Sequence, residues 1–313
     1  MEPRSSQADD LSIGQTVSAM KQPQHDMWYE WLLKRRFGGN VTQMKATMRY
    51  LYPVRNKVLR HARLKEGETL LDVGCGDGLI GFGALEKTAS ARVVFSDISD
   101  DLLHHARSIA ENTGVLDRCE FTRAAAEDLS AIASGSVDVV TTRSVLIYVS
   151  LKQQTFCEFH RVLKPGGRVS IFEPINRPGY PARPDSFFGY DVTAVAAMAQ
   201  KVKAVYEQIQ PRESDPMIDF DERDLLRFAH QAGFGKVQLA LQVKIGPMEK
   251  TTNWETVLRV AANPKVPTLE EAMEQALSPA EREAFVAQLR PLVEAGGGTI
   301  RSAVAYLWAV KSE

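Results

Sequence analysis

A buried strand that runs directly into a glycine-rich turn is the feature that most constrains this 313-residue chain. Positions 70–78 read LLDVGCGDG, and the apolar residues after them predict a helix that begins at Leu79. Glycines at every second position of the turn remove the Cβ atoms that would keep a ligand away from the backbone. The helix N-terminus behind them offers unpaired N–H groups. This unit predicts an α/β sheet that binds a nucleotide-like molecule at the carboxyl end of its first strand.

The same turn also matches the dinucleotide fingerprint G-x-G-x-x-G. Residues 76–81 satisfy the pattern, and Asp97 follows at the spacing of a ribose ligand. Two acidic residues argue against a pyrophosphate, because Asp77 lies inside the turn and Asp72 ends the strand before it. A ligand with a positive centre and no phosphate suits the turn better.

Later motifs continue this pattern along the chain. The segment ARVVFSDI at 91–98 reads as a second strand ending in an acid, and FTRAAAEDL at 121–129 follows as a third motif. A fourth strand, VDVVTTRS, covers 137–144, and the turn RVLKPGGRV at 161–169 precedes a fifth. Together with LLDVGCGDG, these motifs resemble the class I S-adenosylmethionine-dependent methyltransferases. The resemblance implies a Rossmann-like seven-stranded mixed sheet, mostly parallel with the last strand antiparallel, carrying a helical cap and insertions. It implies S-adenosylmethionine as the cofactor and S-adenosylhomocysteine as its product.

The resemblance also implies which residues contact the cofactor. They are Tyr29, Asp72, Gly74, Cys75, Gly76, Asp97, Ile98, Ala126, Glu127 and Arg143. Asp97 would accept hydrogen bonds from both ribose hydroxyls, and Ile98 would pack on the adenine. The family usually has an acidic residue at the position of Ala125. The contact with the adenine amino group is therefore expected from Glu127 or from the backbone. Tyr29 would reach the methionine part of the cofactor, or else pack with its aromatic neighbours.

Two residues at strand ends are catalytic candidates. Glu173 ends the fifth predicted strand, where its carboxylate could act as a general base, stabilise a cation, or only orient the next turn. Tyr148 follows the fourth strand and could hydrogen-bond the acceptor or pack against a helix. Arg143 is better suited to the cofactor carboxylate or the backbone than to chemistry. No metal site is expected, because the histidines at 104–105 and 160 lie on predicted helices.

Composition restricts the partners. The chain has 38 basic and 39 acidic residues, so it offers no charge excess for nucleic acid or an anionic membrane. No apolar run reaches the roughly 18 residues that span a bilayer. The three cysteines lack metal spacing and the pairing that arsenite methylation would need, and they predict reduced thiols in a cytoplasmic protein. The long N-terminal helices could swap between subunits, which leaves a homo-oligomer open.

The sequence pattern divides the chain into five parts. They are a disordered tail at 1–20, an N-terminal helical lid at 21–66, the cofactor-binding core at 67–175, a helical cap insertion at 176–235, and the final strands at 236–313 with a helical insertion at 247–300. Tyr190 and Asp191 are expected to begin the inserted helix. Three segments that could cover one crevice predict a closed pocket for a small molecule.

Three functions remain open at this point. The favoured function is methyl transfer to an oxygen, nitrogen or carbon atom of a small, hydrophobic or aromatic metabolite, of the kind found in natural-product pathways. A non-catalytic regulator that binds S-adenosylmethionine is the first alternative. An NAD(P)-dependent oxidoreductase, from the nested glycine pattern, is the second.

Overall fold

The computed structural model describes residues 25–177, 185–248 and 253–313. The strands are β1 (Thr69–Val73), β2 (Arg92–Asp97), β3 (Cys119–Arg123), β4 (Val137–Arg143), β5 (Leu163–Pro174), β6 (Ser186–Phe187), β7 (Tyr190–Asp191), β8 (Phe234–Pro247) and β9 (Thr299–Lys311). The helices are α1 (Met27–Leu33), α2 (Val41–Ala62), α3 (Leu79–Lys87), α4 (Asp100–Asn112), α5 (Lys152–Val162), α6 (Ala196–Ile209), α7 (Glu222–Gln231), α8 (Trp254–Arg259), α9 (Leu269–Ala276) and α10 (Pro279–Ala295).

One seven-stranded sheet organises the molecule, in the order β3-β2-β1-β4-β5-β9-β8. Strands β1 to β5 pair in parallel, whereas β9 runs antiparallel to both β5 and β8. This confirms the predicted mixed sheet with an antiparallel last strand. Because β2 and β4 lie on opposite sides of β1, the strand order reverses at β1. Ligands of open α/β sheets bind at such a point, outside the carboxyl ends of the strands.

Two hydrophobic clusters cover the two faces of the sheet. On one face the cluster includes Phe156 and Phe159 of α5 and Leu225 of α7. On the other face it includes Val58 of α2 and Ile80 of α3. All five side chains are almost completely buried, so the sheet has helices on both sides, and its central strand β1 is apolar apart from Thr69 and Asp72.

The N-terminal helices form a cover over the glycine turn. We call α1, the 3₁₀ turn at 35–37 and α2 the lid. Asp26 caps α1 by accepting hydrogen bonds from the amides of Trp28 and Tyr29. Its other carboxylate oxygen accepts from the Ser99 hydroxyl at 2.6 Å, which ties the lid to the start of α4. The predicted tail at 1–20 and the first four residues of the predicted lid lie outside the described residues.

The two predicted insertions pack against each other. The first insertion contributes the β6–β7 hairpin and α6, and the second insertion contributes α8, α9 and α10. Together these elements enclose a third hydrophobic cluster. We call this unit the cap. Tyr190 and Asp191 form the short strand β7 rather than the start of a helix, and α6 begins at Ala196. The prediction was wrong here because Asp191 accepts hydrogen bonds from Thr193 in a 3₁₀ turn that precedes the helix.

Candidate active site

The backbone of the glycine turn, residues 74–78, requires glycine at three positions. Gly74, Gly76 and Gly78 have φ angles of +63°, +56° and +77°, which side-chain-bearing residues rarely adopt. A Cβ atom at Gly74 would also lie 2.4 Å from the Val145 side chain. The third glycine of the nested fingerprint, Gly81, serves packing, since a Cβ there would lie 2.3 Å from the ring of Phe95.

Asp97 joins the glycine turn to the end of β2. One carboxylate oxygen accepts from the Gly76 amide at 2.9 Å, and the other accepts from the Ser99 amide at 3.0 Å. Burial raises the pKa of Asp97, and the two amide hydrogen bonds oppose that rise. The next residue, Ile98, is aliphatic and leaves 44% of its surface exposed.

Asp72 supports the turn from beneath. Its two oxygens accept hydrogen bonds from the Gly81 amide and the Thr141 hydroxyl, at 3.0 and 2.9 Å. These bonds connect β1 to α3 and β4. Burial raises the pKa of Asp72 to about 7. Cys75 is buried as well, and burial raises the pKa of its thiol, so the thiol stays protonated at neutral pH.

Glu173 is completely buried at the end of β5. Its Oε1 accepts hydrogen bonds from the amides of Val145 and Leu146, at 2.9 and 3.1 Å. Its Oε2 is enclosed and has no hydrogen-bond partner among the described residues, and burial raises the pKa of the carboxyl to about 7. The carboxyl therefore holds the 3₁₀ turn at 146–148, which carries Tyr148.

Tyr148 lies between this turn and the lid. The Trp28 ring packs edge-on against it, with 5.0 Å between the ring centroids. Burial raises the pKa of the Tyr148 phenol to about 12. At neutral pH the phenol is thus a hydrogen-bond donor, not a base. Leu32 of the lid lies against the glycine turn, because a Cβ built on Gly76 would be 3.1 Å from its side chain.

The third motif lies beside the end of β2. The Ala124 amide donates to the Asp97 carbonyl at 3.0 Å, and the Asp128 amide donates to the Ala125 carbonyl at 3.1 Å. Within this tight turn Ala126 is buried and Glu127 is half-buried. The motif is thus next to the acid that the sequence assigns to the ribose.

Tyr29 packs between two histidines. Its ring stacks on His25 at 3.9 Å between centroids and meets His105 edge-on at 6.0 Å. The backbone of Tyr29 is fixed by the Asp26 cap. The structure therefore places Tyr29 in an aromatic contact between the lid and α4, and its cofactor contact stays a prediction.

Sequence reasoning missed Arg36, which the lid brings to the end of β4. Arg143, Asp77 and Tyr148 all act electrostatically on its guanidinium. No pattern in the sequence predicts an interaction between Arg36 and Arg143, because Arg36 belongs to the lid and Arg143 to the sheet. Only the folding of the lid over the sheet brings them together.

The residues at the carboxyl ends of β1 and β2 fit S-adenosylmethionine. The glycine turn leaves the backbone open to a ligand, an acid stands at the end of β2, and an exposed aliphatic side chain follows it. Asp77 inside the turn has a buried Oδ1 that finds no partner within the described part of the chain, a polar atom that a ligand can satisfy. Among the described residues, no group of three or more His, Cys, Asp or Glu side chains could hold a metal. No helix in the described ranges is long and apolar enough to span a membrane.

Solved structures share this fold. A proposed methyltransferase from Bacillus halodurans C-125 superposes with a TM-score of 0.51 and 19% identity, over 83% of this chain and 99% of that one. The YcgJ protein from Bacillus subtilis gives a TM-score of 0.51 and 16% identity, over 84% and 99% of the two chains. At these identities the likeness shows the fold alone.

Sequence comparisons identify the family. A ubiquinone/menaquinone biosynthesis C-methyltransferase, UbiE, of Cereibacter sphaeroides is 28% identical over 174 residues, which are 56% of this chain and 69% of the relative. An arsenite methyltransferase of Halobacterium salinarum is 31% identical over 153 residues, 47% of this chain and 38% of the relative. The family model described as "Methyltransferase domain" matches residues 64–232, more than half of the chain. The chain therefore belongs to the methyltransferase domain family, and it is a class I enzyme that uses S-adenosylmethionine.

Proposed function

We propose that this enzyme methylates an oxygen, nitrogen or carbon atom of a small, hydrophobic or aromatic metabolite. The proposal rests on the covered crevice, where two side chains of the lid contact the core. Leu32 lies against Gly76, and Trp28 packs on Tyr148. A covered site orients one small acceptor and excludes water, which favours in-line displacement at a sulfonium methyl group. A nucleic acid or protein acceptor would need an open groove.

Within this proposal the cofactor lies along the ends of β1, β2 and β4. Asp97 binds the ribose, and Ile98 packs on the adenine. The remaining assigned contacts are Tyr29, Gly74, Gly76, Ala126, Glu127 and Arg143, while Asp72 and Cys75 shape the turn. The exposure of Ile98 and the position of the third motif beside Asp97 support this arrangement.

Tyr148 and Glu173 have different roles at the methyl acceptor. Tyr148 donates a hydrogen bond to the acceptor, since its phenol stays protonated at neutral pH. Glu173 acts through Tyr148, because both amides that it binds belong to the segment leading into the Tyr148 turn. The relatives named for C-methylation in ubiquinone and menaquinone biosynthesis favour carbon as the acceptor atom.

Cofactor binding tests the site assignment. We expect Asp97→Asn to weaken S-adenosylhomocysteine binding about tenfold or more, because the ribose loses a charge-assisted pair of hydrogen bonds. Asp100→Asn is the control, since Asp100 lies three residues later and forms an exposed ion pair with Arg123. Isothermal titration calorimetry measures both variants. Equal affinities for Asp97→Asn and wild type would show that the ribose binds elsewhere.

Methyl transfer tests the acceptor class. Methyl-labelled S-adenosylmethionine is incubated with a panel of phenols, quinols and aromatic amines, and separately with RNA and protein. We expect label in at least one small-molecule class and in neither polymer. Label transferred only to RNA or protein would contradict the proposal, even if cofactor binding behaved as expected.

A further inference from the structure

Positive charge is concentrated on one helix of the lid, although the charge of the whole chain is balanced. The chain has 38 basic and 39 acidic residues, whereas α2 has five Lys and Arg residues and no acidic residue. The five are Lys45, Arg49, Arg55, Lys57 and Arg60. A local excess of this kind creates a positive surface that the net charge of the chain does not reveal.

Three of these cations lie on the side of α2 that faces away from the sheet. Leu51 and Val58 are buried and mark the inner side of the helix. On the opposite side, residues follow one another at spacings of three or four, which keeps them on one face. We call this the outer face of α2, and it consists of Lys45, Arg49, Tyr52, Asn56 and Arg60. Among the described residues, no carboxylate lies within ion-pair distance of its three cations.

The neighbouring helix α3 adds a further cation to the outer face. Lys87 donates a hydrogen bond from Nζ to Oδ1 of Asn56 at 3.1 Å. Burial, followed by the charges of Arg55 and Arg60, lowers the pKa of Lys87, as expected where like charges lie close together. Glu86 is the acid whose charge acts on Lys87, and its carboxylate pairs with Arg55 at 3.1 Å. The outer face therefore keeps an excess of positive charge.

The first half of α2 exposes apolar side chains beside these cations. Of the described residues 41–50, none is buried, so this half of the helix extends beyond the packed core. Val41 and Met44 leave 60% and 38% of their surface exposed, and Tyr52 leaves 48%. Val41, Lys45 and Tyr52 are spaced by four and seven residues, so they share one side of the helix. Exposed aliphatic and aromatic groups flanked by Lys and Arg are typical of helices that lie in a membrane interface.

We propose that the outer face of α2 binds an anionic lipid surface. Lys45, Arg49 and Arg60 contact the phosphate groups of the lipids, and Val41 and Met44 insert at the boundary of the acyl chains. Charge complementarity requires an anionic partner, and the apolar side chains distinguish lipid from nucleic acid. A nucleic acid backbone neutralises cations, but it offers no apolar phase to exposed aliphatic groups.

Docking through α2 would place the covered crevice next to the bilayer. The same lid contacts the glycine turn, because Leu32 lies against Gly76. A hydrophobic acceptor concentrates in the bilayer, so the docked enzyme would meet it there at a high local concentration. This consequence rests on the proposed function and describes its acceptor as membrane-soluble, whereas the docking itself does not depend on that function.

Co-sedimentation of the full chain with lipid vesicles tests the proposal. Vesicles of phosphatidylcholine alone are compared with vesicles that contain about 30% phosphatidylglycerol, at low salt and at high salt. We expect wild type to bind the anionic vesicles about tenfold or more tightly at low salt, and less tightly at high salt because the charges are screened.

Two variants separate the charged from the apolar part of the surface. The triple variant Lys45→Gln, Arg49→Gln and Arg60→Gln should bind anionic vesicles about tenfold more weakly at low salt. The double variant Val41→Ser and Met44→Ser should weaken the binding that remains at high salt. A second triple variant is the matched control, since it removes three exposed cations outside the lid and changes the net charge equally: Lys236→Gln, Lys265→Gln and Arg301→Gln. Circular dichroism checks the fold of each variant.

The outcomes that overturn the proposal are distinct. Equal binding of wild type to neutral and anionic vesicles overturns it, and so does an equal loss of binding in the two triple variants. Binding to an RNA duplex that the α2 triple variant loses, without binding to vesicles, assigns the outer face to nucleic acid and also overturns it. If wild type binds anionic vesicles but not S-adenosylhomocysteine, the proposed function fails and the docking stands.

Discussion

Two buried carboxyl groups, Asp72 and Glu173, lie near the ends of β1 and β5, on either side of β4, and are held by different partners. Asp72 uses both oxygens in hydrogen bonds, whereas the enclosed Oε2 of Glu173 has no partner in the described ranges. Both have pKa values raised to about 7 by burial. A carboxyl group whose pKa is raised on folding makes stability depend on pH.

Glu173→Gln should change that dependence in a defined direction. Between the ordinary carboxyl pKa of 4.5 and about 7, the folded state keeps the proton of Glu173 and the unfolded state releases it. The contribution of Glu173 to the free energy of unfolding therefore falls as pH rises through this range, and it changes no further above it. Glutamine resembles the protonated acid at every pH. We expect the Tm of the variant, relative to wild type, to rise by several degrees between about pH 5 and about pH 8.

Glu158→Gln supplies a control of opposite sign. The hydrogen bonds from Arg161 lower the pKa of Glu158, so its contribution to stability is present at neutral pH and is lost in acid. Removing it should therefore cost more near pH 7 than near pH 4. Thermal unfolding followed by circular dichroism measures both variants. A Tm difference for Glu173→Gln that stays constant with pH would show that Glu173 is ionised in the folded protein.

At the scale of residues, the sequence predicted what is local and missed what two distant segments create. The glycine turn and Asp97 could be identified because a strand, a turn and a helix follow one another directly. The pairing of Glu173 with the Tyr148 turn was open, since a glutamate at a strand end can serve chemistry or structure. Arg36 gave no signal, because the charged groups that act on it, Asp77, Arg143 and Tyr148, lie in distant segments of the chain.

Between elements, the contact of lid and cap rests on a few specific groups. Trp31 donates its indole N–H to the Ala261 carbonyl at 3.0 Å, and Asn40 donates to the Thr256 hydroxyl at 2.7 Å. Gly38 ends the 3₁₀ turn and approaches α8, so that a Cβ there would lie 3.1 Å from the Cβ of Arg259. The lid is thus held from both sides, by α4 and by the cap.

Comparing Gly38→Ala with Gly39→Ala measures this contact. Both glycines have positive φ angles, +55° and +70°, so alanine introduces similar backbone strain of about 1 kcal/mol at either position. Nothing lies within 4 Å of a Cβ at Gly39, whereas at Gly38 the new methyl group meets Arg259. We expect Gly38→Ala to lower the free energy of unfolding more and to speed hydrogen exchange in 35–41 and 254–259. Equal effects of the two variants would show that the lid does not depend on close packing against α8.

Among the elements, the strands β1, β2 and β4 were predicted to within a few residues, and the helical segment predicted at 247–300 contains α8, α9 and α10. Their boundaries follow from burial on one face and from local caps, such as the Thr268 capping box that begins α9. The short strand β7 was missed. Its pairing with β6 is stabilised by the cap core around Phe187 and Tyr190, which local sequence does not reveal.

In the whole molecule, the sheet and the cap have separate hydrophobic clusters. The sheet clusters and the cap cluster share no buried residue, and the paired strands β8 and β9 continue from one into the other. Both insertions were predicted from the sequence but were treated as separate covers. The packing of the two insertions against each other could not be predicted, because each insertion alone has only one apolar face and the other insertion lies elsewhere in the chain.

Removing one core phenylalanine from each unit tests whether the cap opens independently. Phe285 is completely buried in the cap, where its ring meets Phe187 edge-on at 5.5 Å, and Phe156 is completely buried under the sheet. Either change to alanine should cost about 3–5 kcal/mol through lost packing and a cavity. Because clusters that share no side chains can unfold locally, we expect Phe285→Ala to speed hydrogen exchange in α6, α9 and α10 while β1, β4 and β5 stay protected.

Phe156→Ala should speed exchange in the sheet and lower the Tm of the complex with S-adenosylhomocysteine. Exchange that accelerates equally in both units for Phe285→Ala would mean that cap and sheet unfold as one, and that the cap cannot open without loss of the cofactor site.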